Sequence, residues 1–203
     1  MAATAITADL VKQLRDKTGA GMMECKAALS EANGNIEEGV TLLRKRGLAQ
    51  AAKRAGRTTA QGMIGSYIHM GGKIGVLLEV NCESDFVART DDFQNLVKEI
   101  GMHIAAADPK WVRREEVPAE AVEKEKGIYR AQMENSGKPA DKLDKIVEGK
   151  LGGFYKQFVL LDQESVRDPN VTIAQLVAQT SAKTGENITV SRFVRFRVGE
   201  SIE

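Results

Sequence analysis

Apolar residues recur at helical spacing over residues 1–50 and then change period. Leu10, Val11 and Leu14 form one stripe, which Gly19 ends. Cys25, Ala28, Leu29 and Ala32 form a second, on a helix that opens near Met22 and stops at Asn33-Gly34. A third helix starts at Asn35, an N-capping residue with Glu38 three positions later in a capping-box arrangement. It carries Ile36, Val40 and Leu43 on one face and reaches Gly47. Three short amphipathic helices predict a small bundle.

Beyond residue 60 the pattern becomes strand-like. Residues 63–70 and 73–82 read as two strands joined by Gly71-Gly72, a dipeptide that supplies the positive φ angles of a tight hairpin. Ile74 to Val80 is apolar enough for the middle of a sheet. Ser84 offers an N-cap for a short helical turn, and Asp91 or Asp92 caps a longer helix. There Phe93, Leu96, Val97, Ile100 and Ile104 keep the i, i+3, i+4, i+7 spacing until Asp108-Pro109. Helices after Pro118 and Pro139, joined by the short link 136–139, predict an antiparallel helical hairpin at about 119–154. Residues 171–184 form another helix, ended by Gly185. In a last strand, Ile188, Val190, Val194, Phe196 and Val198 line the buried side, and Phe193, Arg195 and Arg197 line the other. The expected class is α+β: a three-helix bundle followed by a small antiparallel three-stranded sheet covered by helices.

Charge and composition narrow the function. Lys and Arg number 29 against 28 Asp and Glu, a net +1 that gives no global reason to expect a nucleic-acid or membrane binder. The basic stretch 44–57 is a local exception. It holds Arg44, Lys45, Arg46, Lys53, Arg54 and Arg57 without an acid, and it reads as a helical or flexible linker; a solvated or protein-contacting linker outweighs RNA contact because no aromatics interleave. Cys25 and Cys82 are far apart and form no C-x-x-C pair, so neither a disulfide framework nor a zinc site is indicated, and a reducing cytoplasm fits. Neither a membrane-spanning apolar run nor a signal-peptide pattern is visible.

No catalytic, cofactor-binding or metal-ligating constellation emerges. Gly19-Ala20-Gly21 opens like a dinucleotide fingerprint, but position 24 is Glu and no strand precedes it. Gly72-Lys73 lacks the other residues of a phosphate loop, and His69 and His103 have no motif partner. Two features stand out instead. Met22-Met23 opens a helix where one methionine can reach the bundle core while the other stays at the surface, and methionine suits adaptable binding surfaces. Ser84-Asp85-Phe86-Val87 puts an aromatic ring beside an acid at a strand-to-helix corner, where core packing and surface exposure of the ring are both open.

At these residues the chain resembles the elongation factor Ts family. The stretch from Ile6-Thr7-Ala8 to Leu14-Arg15, continued by Thr18-Gly19-Ala20-Gly21-Met22-Met23-Glu24-Cys25 to Leu29, is similar to the family's first signature. Leu78-Glu79-Val80-Asn81-Cys82-Glu83-Ser84-Asp85-Phe86-Val87-Ala88-Arg89 is similar to its second. The likeness extends over essentially the whole chain. The family usually has Thr where this chain has Ser84, a change that keeps the capping oxygen.

The resemblance implies a guanine-nucleotide exchange factor, not an enzyme, that binds elongation factor Tu and promotes GDP release without cofactor, metal or direct nucleotide binding of its own. It implies a ubiquitin-associated-like module at residues 1–55 and a dimerisation and GTPase-binding body at 56–203. Asp85 and Phe86, flanked by Ser84 and Val87, would intrude between two helices of the GTPase near its magnesium and phosphate site. Arg15, Met22 and Met23 would meet its nucleotide-binding domain. The single core copy resembles short family members, for which a homodimer is expected. A cytoplasmic location, with neither membrane nor nucleic acid as partner, completes the expectation.

Overall fold

The computed structural model describes residues 6–133 and 140–200. Two compact units account for the fold. The first takes the described part of Met1–Gly62 together with Asn81–Gln94 and Val177–Thr189; the second takes Met63–Val80, Asn95–Leu176 and Val190–Glu203 over the described residues.

In the first unit, α1 (Ala8–Thr18) begins at Thr7, whose hydroxyl accepts the Leu10 N–H, and ends at Gly19 in the left-handed region at φ 67°. Helix α2 (Met22–Glu31) follows Gly21, and α3 (Ile36–Arg54) starts at Asn35, whose side-chain oxygen accepts the N–H groups of Glu37 and Glu38 at 3.0 and 3.2 Å. Only that half of the expected capping box forms, because the Asn35 N–H is taken by the Ala32 carbonyl at 2.9 Å. Val11, Leu14, Cys25, Ala28 and Leu29 make the bundle core, with Ile36, Val40 and Leu43 packed against it. The expected end of the third helix at Gly47 is corrected. Helix α3 continues through it to Arg54, so most of the basic stretch is helical. A Cβ at Gly47 would stand 3.2 Å from the Cβ of Ala182, so this glycine permits a close approach rather than a stop. The alanine-rich sequence after it sustains the helix.

Strands β1 (Gln61–Ile68), β2 (Ile74–Cys82) and β3 (Ile188–Arg197) form one antiparallel sheet in the order β1-β2-β3. Gly71 and Gly72 turn the first hairpin at φ 89° and 68°, and the His69 N–H closes it on the Ile74 carbonyl at 2.9 Å. After the short helix α4 (Asp85–Ala88), α5 (Asp91–Ala107) buries Phe93, Leu96, Val97, Ile100 and Ile104, the expected stripe. Its cap is Thr90 rather than Asp91 or Asp92: the Thr90 hydroxyl accepts the Phe93 N–H at 3.3 Å, and the two acids lie in the first turn, where they favour the helix dipole. A methyl group on Gly65 would overlap Val97 Cγ1 and come within 3.1 Å of Leu78, so glycine here lets α5 lie close on the sheet.

Helices α6 (Ala119–Met133) and α7 (Ala140–Phe158) pack on each other as the expected hairpin, and Lys150 bonds Gln132 at 3.0 Å; the link 136–139 lies outside the described residues. Helix α7 runs one turn past residue 154, and Val117, Leu151, Phe154 and Val159 form a core beside Trp111. Helix α8 (Ile173–Thr184) starts at Thr172, which exchanges hydrogen bonds with Gln175, and Gly185 ends it at φ 78°.

The expected two-faced pattern of the last strand needs a correction. Ile188 and Val190 are buried, but Ser191 and Arg192 are exposed in succession, and the alternation changes phase there. One extra residue on the outside swaps the faces of everything after it. Val194, Phe196 and Val198 are therefore exposed, while the Arg195 side chain is only 8% exposed, bonded to the Ala105 carbonyl and paired with Asp108 and Glu200. The exposed sheet face continues with Ile64 and Ile68 on β1 and Leu77 on β2.

Candidate partner-binding site

Strand β2 leaves the sheet at Cys82 and turns within two residues into α4. Ser84 makes the corner: extended at φ −129° and ψ 157°, it caps the helix with a hydroxyl that faces the Val87 N–H at 3.5 Å. Val87 points inward and is 8% exposed, whereas Phe86 is 79% exposed. Asp85, in the first turn, pairs with Arg89 one turn on at 2.7 Å. The ring therefore stands out from the surface on a short helix fixed at its base by Val87, beside a carboxylate already engaged by an arginine.

Bonds from distant sequence hold the corner. The Glu186 carboxylate accepts the Glu83 and Ser84 N–H groups, each at 3.0 Å, and the Ser84 hydroxyl at 2.5 Å. The next residue returns the contact, since the Asn187 N–H donates to Glu83 at 2.6 Å. The Asn187 side chain also donates to the carbonyls of Ala55 and Arg57, at 3.4 and 2.8 Å, just after α3. The buried Cys82 thiol donates to the Ser84 carbonyl at 3.1 Å. Burial, with the Glu186 charge adding to it, pushes that thiol above its usual range, so it remains a hydrogen-bond donor rather than a nucleophile. The Asn187 bond, with Arg57 alongside, holds the Glu83 carboxyl below the usual carboxylate range. Glu186 and Asn187 escape a sequence reading because only folding brings them next to Glu83 and Ser84. The nearest one-dimensional signal is a carboxylate and an amide directly after the helix-ending Gly185.

Met22 and Met23, at the start of α2, are 47% and 76% exposed, and Arg15 is exposed on α1. The turn carrying the methionines is shaped by Gly19, whose N–H donates to the Arg15 carbonyl at 2.7 Å, and by Glu24, which accepts the Gly21 N–H at 3.3 Å. In the same unit the end of α8 braces this module. Lys183 lies against Gly19 and pairs with Asp92 at 3.5 Å, and Arg54 donates to the Ser181 carbonyl at 3.3 Å. Arg46 pairs with Glu31 and Arg57 with Glu83, so part of the basic stretch is engaged in ion pairs within the protein.

Neither sequence histidine joins this corner. His69 meets the Tyr67 hydroxyl at 3.1 Å, and His103 is buried against Gln163. Among the described residues, no group of three or more His, Cys, Asp or Glu side chains could hold a metal ion, and no helix is long and apolar enough to cross a membrane.

Comparison with protein families matches residues 2–200 to the family described as Elongation factor TS. Among curated relatives, the Elongation factor Ts of Fervidobacterium nodosum is 61% identical over 195 residues, covering 96% of this chain and 99% of the relative. That of Solibacter usitatus is 60% identical over 196 residues, covering 97% and 92%. That of Caldanaerobacter subterraneus subsp. tengcongensis is 59% identical over 198 residues, covering 98% and 99%. A family match over nearly the whole length and relatives of this identity place the chain in the elongation factor Ts family of translation elongation factors.

Proposed function

We propose that this protein binds elongation factor Tu in its GDP-bound form and accelerates GDP release, leaving the site free for GTP. The observation that carries the reading is the exposed Phe86 ring on a corner otherwise fixed by Val87 and Glu186. An apolar ring held out in water on a rigid base is suited to burial in a partner. Its transfer into an apolar pocket is worth roughly 1.5–3 kcal/mol. Phe86 and Asp85 enter between two helices of the GTPase near its magnesium and phosphate site, with Ser84 and Val87 as their support.

The mechanism is an exchange of affinities and requires no catalytic residue in the factor. Contacts that favour a GTPase conformation with poor hold on GDP weaken the nucleotide, and the nucleotide weakens those contacts by the same factor. Typical coupling between two sites is roughly 1–3 kcal/mol, the same scale as burial of one ring, so the Phe86 wedge is large enough to contribute much of the effect. Arg15, Met22 and Met23 supply a second contact, to the nucleotide-binding domain, that adds affinity. Residues 1–55 serve as the ubiquitin-associated-like binding module and 56–203 as the body. The protein itself takes up neither nucleotide nor nucleic acid, and it works in the cytoplasm, where its partner does.

A second copy of the chain is the further partner. The sheet face bearing Ile64, Ile68, Leu77, Val194 and Phe196 is exposed and largely apolar, with Ser66 and the Arg192–Glu79 pair beside them, and two such faces can pair across a twofold axis.

The deciding measurement is the rate at which a fluorescent GDP analogue leaves elongation factor Tu as this protein is titrated in. A saturable rise in rate is expected. Release at the spontaneous rate, with binding intact, leaves an adaptor role and rejects exchange.

A further inference from the structure

The corner that presents Phe86 is held by a residue about a hundred positions away. Glu186 follows the helix-ending Gly185, and its own carbonyl is fixed by the Ser181 hydroxyl at 2.5 Å, so its backbone is anchored to α8. From that anchor its carboxylate takes three donors: two consecutive backbone N–H groups, those of Glu83 and Ser84, and the Ser84 hydroxyl. Hydrogen bonds to an ionised acceptor are stronger than neutral ones, and a pair of N–H groups on one oxygen defines a direction as well as a distance. With its proton committed to Glu186, the Ser84 oxygen presents its lone pairs to the Val87 N–H and caps α4. The direction in which α4 leaves the strand, and with it the direction of the Phe86 ring, is thus set through Ser84 by Glu186.

We propose that Glu186 is a positioning residue for nucleotide release: it does not touch the partner, but it aims Phe86 by clamping Ser84. The proposal rests on the reading of Phe86 as the intruding ring. Without the carboxylate, the two N–H groups and the hydroxyl turn to water, the cap loosens, and the ring samples several directions. Insertion then has to select one of them, and the loss appears in the rate at saturation.

The test is GDP release from elongation factor Tu, titrated with the full-length parent, Glu186→Ala, Glu186→Gln, Phe86→Ala and the double variant Phe86→Ala/Glu186→Ala. Glu186→Ala is expected to lower the saturating rate about tenfold, the scale of one lost charge-assisted hydrogen bond, and to change the half-saturating concentration much less. Glu186→Gln keeps one acceptor oxygen for the two N–H groups and is expected to recover most of the rate. In the Phe86→Ala background Glu186→Ala should add less than about twofold, because the clamp acts through the ring. Amide hydrogen exchange should rise at Glu83 and Ser84 in Glu186→Ala and stay unchanged along β2.

A folded Glu186→Ala protein with the parental saturating rate overturns the proposal, as does a double variant whose losses multiply. If Phe86→Ala itself keeps the parental rate, the intruding-ring reading falls and this inference with it; Phe86→Ala slow beside Glu186→Ala parental removes this inference alone. Should Glu186→Ala not fold, Ser84→Ala decides, because Glu186→Gln is expected to stay near the parent. Several-fold slower release by Ser84→Ala supports the clamp, and a parental rate in Ser84→Ala overturns it.

Discussion

Phe86 and Val87 are adjacent in a single helical turn and face opposite environments, the first 79% exposed and the second 8%. Truncating them must therefore fail in different ways. Phe86→Ala removes a ring that touches little in the free protein and is expected to leave the melting temperature near the parent's while the saturating rate of GDP release falls. Val87→Ala opens a hole under the corner and should cost about 2 kcal/mol of folding stability. Thermal melts alongside release kinetics separate the two. A large loss of stability in Phe86→Ala would return the ring to the core.

Met22 and Met23 are both exposed, so truncating the pair should spare the bundle, whose core is Leu14, Cys25, Ala28 and Leu29 with Val11. The double change to alanine is expected to keep the circular dichroism spectrum, weaken binding to nucleotide-free elongation factor Tu several-fold, and leave the saturating release rate close to the parent's. Unchanged affinity in the titration would remove the methionines from the interface.

The apolar sheet face gives a prediction about assembly. Phe196 is exposed on β3, so Phe196→Glu should be accepted by the isolated chain yet place a charge within the paired face. Sedimentation of the parent at micromolar concentration is expected to show a dimer and that of the variant a monomer with parental secondary structure. A parent that sediments only as monomer rejects the pairing.

His103 predicts the response to acid. Its Nδ1 accepts the Val166 N–H at 3.3 Å, which leaves the proton on Nε2, 2.9 Å from the Gln163 side-chain oxygen. Burial holds the imidazole below its ordinary value of 6.5, outweighing the Gln163 bond that acts the other way. Above that value folded and unfolded chains are both neutral at this site, and its full stability is present. As the pH falls below it, the unfolded chain takes up the proton first, so stability drops until the lower folded value is reached. Urea midpoints at pH 7.5 and 5.0 should fall further for the parent than for His103→Gln, which cannot titrate. Equal falls would show that the titration of His103 is not coupled to folding.

What the sequence makes legible here is mostly local. Gly71-Gly72 has to be a turn because two successive residues need positive φ, and Phe93 to Ile104 has to be a buried helical stripe because no other geometry puts those positions on one side. Ser84 reads as a cap for the same reason. Gly47 shows the limit: a glycine that ends a helix and one that lets another helix come close look alike until Ala182 is seen beside it. The phase change at Ser191-Arg192 is equally silent, since the apolar residues beyond it keep a perfect alternation while their burial inverts. Phe86 could be read from composition as core or surface, and the family resemblance rather than periodicity favoured its role at the surface. Glu186 could not be read at all, because its meaning lies in a contact made across the fold.

The unbroken run of α3 from Ile36 to Arg54, with the carbonyls of Ala55 and Arg57 tied to Asn187, bears on how the two contact patches cooperate. A slack tether between the methionine-bearing bundle and the rest of its unit would leave each linker residue to be frozen on docking, at roughly 1–2 kcal/mol per residue. Here that ordering is complete when the chain folds. Under the proposed function, once one patch lands, the other would meet the GTPase at an effective concentration fixed by geometry instead of by chain statistics. Avidity, on this view, is built into a helix that touches neither patch's target, and a few flexible residues inserted near Gly47 would dissipate it while both patches stayed intact.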